Sequence, residues 1–343
     1  MFSELSAAAN AGLFILSALV IGFAGVALTR RADMLADRSG VGEAIAGAVF
    51  LGVTTSLSGT VTSVTAAAEG AASLSISNAL GGIAAQTAFL AIADITYRRA
   101  NLEHAAAELT NLVLVTLLML TLSIPLLAYS MPAFTIGAVH PASLILIVTY
   151  VAGLRLSQQV RASPMWHPAQ TPETRRDLPD VEEEGAPSTA RLAAEFLVLM
   201  GTVGIAGWVI AETALELSAQ TGMSQAIMGT LFTSVATSLP ELVTTLAAVR
   251  RGALQLAVGG IIGGNTYDVL FLALSDAAYR EGSLYHAMEP RHVFLIALAL
   301  AMSAVLLLGL LRREKSGAGN IGFESVLVLA IYAGALTFQI ALG

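Results

Sequence analysis

Ten runs of about twenty predominantly apolar residues make up most of this chain, and they constrain its fold more than any other feature. A transmembrane α-helix needs about twenty such residues, whereas the strands of a membrane β-barrel show alternating segments of about ten. Only 12% of the residues are charged, against about 25% in soluble domains. The sequence therefore predicts an all-α polytopic membrane protein with ten transmembrane helices. The predicted spans lie near residues 9–29, 43–67, 73–96, 107–130, 134–155, 191–215, 225–249, 253–276, 290–311 and 321–342.

A polar, proline-rich stretch separates the first five spans from the last five. It covers residues 156–190, and its composition is typical of a flexible linker. We therefore expect a first five-helix repeat at 1–155, a linker at 156–190 and a second five-helix repeat at 191–343. The prolines of the linker are Pro164, Pro168, Pro172, Pro179 and Pro187.

If the chain crosses the membrane ten times, its Lys and Arg residues fall very unevenly on the two sides of the membrane. Of the 17 Lys and Arg residues, all but Arg280 and Arg291 fall on one side of the membrane. Basic loops stay in the cytoplasm. The asymmetry predicts an integral protein of a prokaryotic inner (plasma) membrane, with both termini outside and the linker 156–190 in the cytoplasm.

The two halves of the chain match without a gap when Glu43 is placed on Gln225. Two apolar helices that were similar in composition alone would not keep polar and glycine motifs in register over such a length. An odd number of spans in each half inverts the second half relative to the first, and inverted repeats place ion sites near the bilayer midplane. The matched positions include Thr55-Ser56-Leu57 on Thr237-Ser238-Leu239, Gly81-Gly82 on Gly263-Gly264, Asp94 on Asp276 and, more weakly, Gly25 on Gly207.

Two carboxylates, Glu241 and Asp268, stand inside apolar spans of the second half. A charge at the bilayer centre costs roughly 3 kcal/mol, so such residues are usually functional. Pro240 removes a backbone donor and frees a carbonyl one turn back, and Thr237 and Ser238 add hydroxyl groups. Hard cations bind oxygens of these kinds. We expect a cation site here; the alternative is an ordinary proline kink with hydroxyls bonded back to the helix.

The first half has polar groups at the corresponding positions but lacks the charges. Glu241 falls on Gly59 and Asp268 falls on Gln86. Each hydroxyl of the first half could equally pack between helices, whereas Asn265 lies one turn before Asp268 and can orient it or bind through its carbonyl. The further candidate ligands are therefore Gln86, Thr55, Ser56 and Asn265.

Two other carboxylates, Asp94 and Asp276, correspond to each other through the repeat. Both sit near the ends of predicted spans. We expect them either to snorkel toward the interface or to cap backbone groups there, and we place them outside the cation site.

The paired motif resembles that of the cation/calcium exchanger superfamily, the group of sodium/calcium exchangers. In that family, each of two inverted five-helix halves carries G-T-S-x-P-E and then G-S-N-x-x-N/D. The second half here is similar, with Ala236-Thr237-Ser238-Leu239-Pro240-Glu241 and Gly263-Gly264-Asn265-Thr266-Tyr267-Asp268. The first repeat is degenerate, because Gly59 and Gln86 stand where the family has acidic or amide ligands. The resemblance implies that Glu241 and Asp268 ligate the transported metal cation, with oxygens from Thr237 and Ser238.

These features together predict a secondary active cation antiporter. Calcium, or another cation, would be exchanged against sodium or protons by alternating access at a midplane carboxylate site. Its partners would be inorganic cations and the lipid bilayer, with no nucleic acid and no cofactor besides the transported ions. The alternative is a non-transporting relic of the exchanger fold that acts as a membrane sensor or assembly subunit. An enzyme is disfavoured, because no catalytic signature accompanies the two acids.

Overall fold

The computed structural model of the protein describes residues 2–39, 52–97, 99–165, 167–174, 188–317 and 321–342, and these residues form an all-helical bundle. A short 3₁₀ turn at Phe2–Glu4 precedes the first helix. In chain order the helices are α1 Ala7–Ser39, α2 Leu57–Ala68, α3 Ala72–Thr96, α4 Leu102–Ala105, α5 Leu109–Ser130, α6 Pro141–Ala162, α7 Thr189–Thr221, α8 Gln225–Thr237, α9 Leu239–Arg251, α10 Leu254–Asp268, α11 Leu270–Ala278, α12 Pro290–Arg312 and α13 Phe323–Leu342.

Eight helical segments of the described residues are long and apolar enough to cross a membrane. One of them joins α10 and α11 across a break at Val269. Helices α8 and α9 meet the criterion only as a pair, bent by 45°, and counting this pair gives up to nine spans. Of the remaining predicted span, 43–67, residues 43–51 lie outside the described part of the chain, and α2 covers its second half.

The fifth span lies later in the chain than its hydrophobicity suggests. Residues 131–140 are a loop, and α6 runs from Pro141 to Ala162, past the predicted boundary at 155. Proline is favoured in the first turn of a helix, and the ring Nδ1 of His140 caps this turn by accepting a hydrogen bond from Ala142 N (3.1 Å). The next helix starts at Thr189, after Ser188 as its N-cap. Residues 166 and 175–187 of the predicted linker lie outside the described residues.

Helix boundaries recur at the sequence offset that places Glu43 on Gln225. This offset carries both ends of α1 onto both ends of α7, and the start of α3 onto the start of α10. Two glycines with positive φ angles, Gly70 (75°) and Gly252 (84°), end the helices that precede α3 and α10. Glycine is the residue that adopts this left-handed conformation without strain. The two halves therefore repeat local structure as well as sequence.

Asp94 and Asp276 have equivalent roles in the two halves. Asp94 Oδ1 accepts a hydrogen bond from Leu102 N (2.7 Å), and its Oδ2 accepts one from Gly322 N (3.0 Å). Both carboxylates are fully buried, at 0% exposure. Capping of backbone groups is therefore confirmed, whereas the alternative of snorkelling to the interface was wrong. Asp276 accepts hydrogen bonds from Leu284 N (2.9 Å) and His140 N (2.7 Å). The repeat offset relates these two residues to Leu102 and Gly322.

The long helices α1 and α7 pack closely against helices of the opposite half through glycines. A Cβ atom on Gly25 of α1 would lie 2.5 Å from Pro240 Cγ, and one on Gly207 of α7 would lie 2.8 Å from the carbonyl oxygen of Ser58. Small residues allow such close approach between membrane helices. The same offset relates Gly25 to Gly207 and Ser58 to Pro240.

Replacing Gly25 by alanine should destabilise the folded protein. The added methyl group would overlap the Pro240 ring, and overpacking of this kind costs about 1–3 kcal/mol, which outweighs the gain in helix propensity. The matched control is Gly12→Ala in the same helix, where an added Cβ has open space around it. Thermal unfolding in detergent should show a lower Tm for Gly25→Ala alone. Equal Tm values for the two variants would contradict the close approach.

Candidate functional site

The two intramembrane carboxylates line one cavity at the breaks of two helices. Glu241 lies in the first turn of α9, directly after the bend, and Asp268 is the last residue of α10. Their residues are only 4% and 1% exposed. The positive end of the α9 dipole favours an anion near Glu241. The cavity is lined by Ser56, Gly59, Asn78, Gly82, Gln86, Thr237, Ser238, Glu241, Asp268 and Phe271.

The bend between α8 and α9 follows from the local sequence. Pro240 has no N–H to donate to the carbonyl of Ala236, so the helical hydrogen-bond ladder is interrupted here. The preceding residues, Met228–Thr233, form a π-helical stretch, a feature common near functional sites. Ser58 Oγ of the first half donates to the carbonyl oxygen of Thr237 (3.0 Å). The bend is therefore tied directly to α2.

Gln86 connects the two halves at the centre of the cavity. Its Nε2 donates to Asp268 Oδ2 (2.7 Å) and to Ser238 Oγ (3.2 Å). Because an ionised carboxylate can only accept hydrogen bonds, the amide nitrogen faces Asp268. The amide oxygen is left without a hydrogen-bond partner in the described residues. Gln86 thus holds Asp268 in place and offers a neutral oxygen ligand.

Several oxygen atoms at this cavity are buried without a hydrogen bond. Both carboxylate oxygens of Glu241, Oδ1 of Asp268 and Oε1 of Gln86 accept no hydrogen bond within 3.5 Å from the described residues. Buried acceptors of this kind are costly unless something positive compensates them. The hydroxyl groups of Thr55 and Ser56 lie close to Glu241 and Asp268, respectively. The arrangement can therefore accommodate a cation surrounded by oxygens.

The structure brings most of the predicted ligands together. Thr55 stands beside Glu241 without forming part of the cavity wall. Asn265 is fully buried but lies outside the lining, where its Nδ2 donates to Thr87 Oγ1 (2.9 Å). It therefore joins α10 to α3 and does not face the cavity. The predicted residues in the cavity wall are Glu241, Asp268, Thr237, Ser238, Gln86 and Ser56.

Sequence reasoning missed Asn78, which lines the cavity from α3. Its Oδ1 accepts a hydrogen bond from Thr233 Oγ1 (2.7 Å), and its Nδ2 donates to Ser63 Oγ (2.9 Å). The internal repeat does not predict a polar residue here, because the corresponding position of the second half is Gly260. An amide within an apolar span was the only available signal.

Phe271 was missed as well, and its ring lies against Gly59, the position of the first half that corresponds to Glu241. A Cβ atom on Gly59 would lie 2.7 Å from Phe271 Cε2. The aromatic ring therefore fills the space into which a side chain at position 59 would project. Only two acids line the cavity, and the described residues contain no group of three or more His, Asp or Glu side chains suited to a metal ion.

The fold is similar to that of two solved structures, one of them a sodium-calcium exchanger. The sodium-calcium exchanger NCX_Mj aligns with a TM-score of 0.62 and 19% identity, over 97% of this chain and 99% of that one. The structure of native YfkE aligns with a TM-score of 0.62 and 14% identity, over 94% and 90% of the two chains. At such low identity these matches establish the shared fold alone.

Curated relatives align over shorter stretches. The inner membrane protein YrbG of Escherichia coli is 29% identical over 111 residues, 32% of this chain and 34% of its own length. The putative antiporter CaxA of Alkalimonas amylolytica is 27% identical over 148 residues, 42% of this chain and 46% of its own. The alignments thus span less than half of these relatives.

The family comparison covers most of the chain. The model of the sodium/calcium exchanger protein family matches in two stretches, residues 9–157 and 192–341. These stretches lie on either side of the polar segment between α6 and α7. Together with the apolar helices, the match identifies an integral membrane protein. The chain therefore belongs to the sodium/calcium exchanger protein family.

Proposed function

We propose that the protein is a secondary active antiporter, not an enzyme, and that it exchanges calcium or another cation against sodium or protons. The observation that carries this proposal is the pair of buried carboxylates, Glu241 and Asp268, in one cavity, with three of their four oxygens lacking a hydrogen bond. Among the similar proteins described above, CaxA is named a putative antiporter and NCX_Mj a sodium-calcium exchanger, which agrees with this function.

The composition of the cavity suggests how it would hold its substrate. Two carboxylates match the charge of one divalent cation. Thr237, Ser238 and Gln86 add neutral oxygens, as calcium sites require. The transported cation would thus be bound mainly by the second half, with Gln86 and Ser56 as the contribution of the first half.

The same electrostatics favours exchange over one-way release. A cation that leaves exposes two adjacent anions in a low-dielectric interior, and an uncompensated buried charge is strongly destabilising. Gln86 Nε2 donates a hydrogen bond to Asp268, whereas both carboxylate oxygens of Glu241 are buried and accept no hydrogen bond within 3.5 Å from the described residues. Return of the empty site across the membrane would therefore need sodium ions or protons in place of the first cation.

Alternating access would follow from an architecture of ten helices in two inverted five-helix repeats. We assign the repeats to 1–155 and 191–343 and the linker to 156–190, with both termini outside and the linker in the cytoplasm of a prokaryotic cell. Helices α1 and α7 would move against the core that carries the cavity. Gly25 and Gly207 lie where these helices cross Pro240 and Ser58. Because glycine has no side chain, nothing protrudes from α1 or α7 at these crossings, which favours such sliding.

Removing either charge from the cavity should abolish transport. Glu241→Gln and Asp268→Asn keep the size of the side chains but leave one buried carboxylate to hold the cation. Breaking a buried charge pair costs about 3–5 kcal/mol, which corresponds to a loss of affinity of more than about 100-fold. Radiolabelled calcium uptake into proteoliposomes, with sodium and pH gradients imposed separately, measures the effect.

The control for these variants is Glu281→Gln, an exposed acid in the loop between α11 and α12. It should transport like the unmodified protein. Unchanged flux in Glu241→Gln would rule out the mechanism. Absence of cation flux from the unmodified protein under every gradient would instead support the non-transporting relic.

A third carboxylate should strengthen divalent binding only if Phe271 first makes room for it. The Gly59→Glu change alone would collide with the ring and should lower the yield of folded protein. With Phe271→Ala added, the new acid can reach the cavity, and calcium affinity should rise because more anionic ligands bind calcium more tightly.

The matched control is Gly59→Gln with Phe271→Ala, which has the same shape without the charge. Competition of calcium with radiolabelled calcium on the purified variants gives the affinities. Equal affinities for the two double variants would show that position 59 does not face the bound cation.

The absence of cysteine from the sequence makes the proposed orientation directly measurable. Thr135, in the loop before α6, and Ser163, directly after α6, are both exposed. In intact cells, a membrane-impermeant thiol reagent should label Thr135→Cys but should label Ser163→Cys only after the membrane is permeabilised. The reverse pattern would contradict outside termini and a cytoplasmic linker.

A further inference from the structure

Two buried glutamates meet at the end of the molecule where the α3–α5 connection approaches the α12–α13 connection. Glu103 of α4 is 2% exposed and Glu324 of α13 is 1% exposed. Oε2 of Glu103 and both carboxylate oxygens of Glu324 accept no hydrogen bond within 3.5 Å from the described residues. The two side chains line a small cavity, separate from that of Glu241 and Asp268.

The corresponding place at the opposite end of the molecule contains no such pair. The repeat offset carries Glu103 onto Tyr285, Glu324 onto Ala142 and Ser325 onto Ser143. There, the hydroxyls of Tyr285 and Ser143 lie 2.9 Å apart, and Ser143 Oγ donates to Asp276 Oδ2 (2.7 Å). The same fold is therefore compatible with neutral side chains at these two positions. The two acids at the first end are therefore not a requirement of the architecture.

No basic side chain of the described residues pairs with these two acids. The nearest acids, Asp94 and Glu314, add negative charge, and the oxygens of Asp94 are already taken by backbone N–H groups. Burial raises the pKa of Glu103 well above its usual range, and the charges of Asp94 and Glu324 raise it further. The nearby basic side chains have other partners. Arg312 pairs with Glu314, and Lys315 pairs with Glu173. Arg313 donates to the carbonyl oxygens of Ala169 and His104, and the ring of His104 contacts Arg313 O and Thr171 Oγ1.

The chemistry of the cavity favours a proton over a metal ion. The two side chains line the same small cavity, and three of their four carboxylate oxygens accept no hydrogen bond from the described residues. One proton shared between the two carboxyl groups gives a strong charge-assisted bond. Calcium takes six or more oxygens. Apart from the two acids, the lining offers only the hydroxyls of Thr87 and Ser325, and that of Thr87 donates to Ile83 O.

We propose that Glu103 and Glu324 form a proton-binding site in which the two carboxyl groups share one proton. Release of the proton places two adjacent anions in a largely apolar cavity and forces α4 away from the start of α13. His104, next to Glu103, contacts Thr171 of the segment 167–174. Proton binding therefore stabilises the attachment of this segment to the helical core. The site does not depend on which cations the protein transports.

The pH dependence of stability has a definite sign. The folded protein holds this proton more tightly than the unfolded chain, in which a glutamate has a pKa of about 4.3. Folded stability should therefore fall as the pH rises above about 4.3, until the pair has ionised. Glutamine at either position keeps the remaining acid hydrogen-bonded but removes the pair, so the fall should be reduced by about half or more.

The experiment compares the unmodified protein in detergent with Glu103→Gln and Glu324→Gln, with the exposed Glu281→Gln as control. Tm is measured from about pH 5 to about pH 9, and infrared difference spectra record the C=O stretch of protonated carboxyl groups. The double variant Glu103→Tyr with Glu324→Ala, which copies the neutral arrangement of the opposite end, should fold and lack the part of both signals that comes from this pair.

Glu241 and Asp268 are present in all of these proteins and contribute equally to their pH profiles and spectra. Beyond that shared contribution, we expect a pH-dependent fall in Tm and a protonated-carboxyl band in the unmodified protein and the control, and a loss of both in the double variant. Identical pH profiles and infrared spectra in all proteins would overturn the proposal. So would stabilisation by added calcium or sodium that Glu324→Gln removes, since that result would identify a metal-ion site.

Discussion

The burial of Glu241 and Asp268 in one small cavity is the constraint on which the rest of the structure depends. Two anions in a low-dielectric interior are tolerable only when positive charge or hydrogen bonds compensate them. Gln86 donates a hydrogen bond to Asp268, and the positive end of α9 lies at Glu241. The other three carboxylate oxygens accept no hydrogen bond from the described residues. This incomplete compensation supports the proposed cation site, because a pair with all its hydrogen bonds made would have no free oxygen to offer an ion.

The two halves of the chain hold this cavity through equivalent contacts. Asp94 and Asp276 each fix two chain segments by accepting backbone N–H groups. Gly25 and Gly207 each bring a long helix against the helices of the cavity. The scaffold is thus nearly symmetric, whereas the charges are not: both cavity acids come from the second half, and the pair formed by Glu103 and Glu324 occurs at one end only.

The sequence predicted those parts of this arrangement that depend on local patterns. Apolar runs gave the helices, and the Pro240 motif located the bend and its carboxylate. The start of α6 was misplaced because apolar residues of the loop 131–140 extended the hydrophobic run, while Pro141 determined where the helix begins. Asn265 was expected in the cavity but faces Thr87, since its direction depends on the rotation of α10. Phe271 could not be foreseen, because its effect on Gly59 is a contact between distant segments.

The most direct test of the central claim is to locate a bound cation. Crystals of the protein soaked with strontium, a divalent ion with a usable anomalous signal, would show its position without reference to any flux assay. The structure predicts an anomalous peak between the carboxylates of Glu241 and Asp268, within about 2.3–2.6 Å of oxygen ligands for a calcium-like ion, and no such peak in Glu241→Gln. Strontium bound only elsewhere, or an unchanged peak in that variant, would contradict the account.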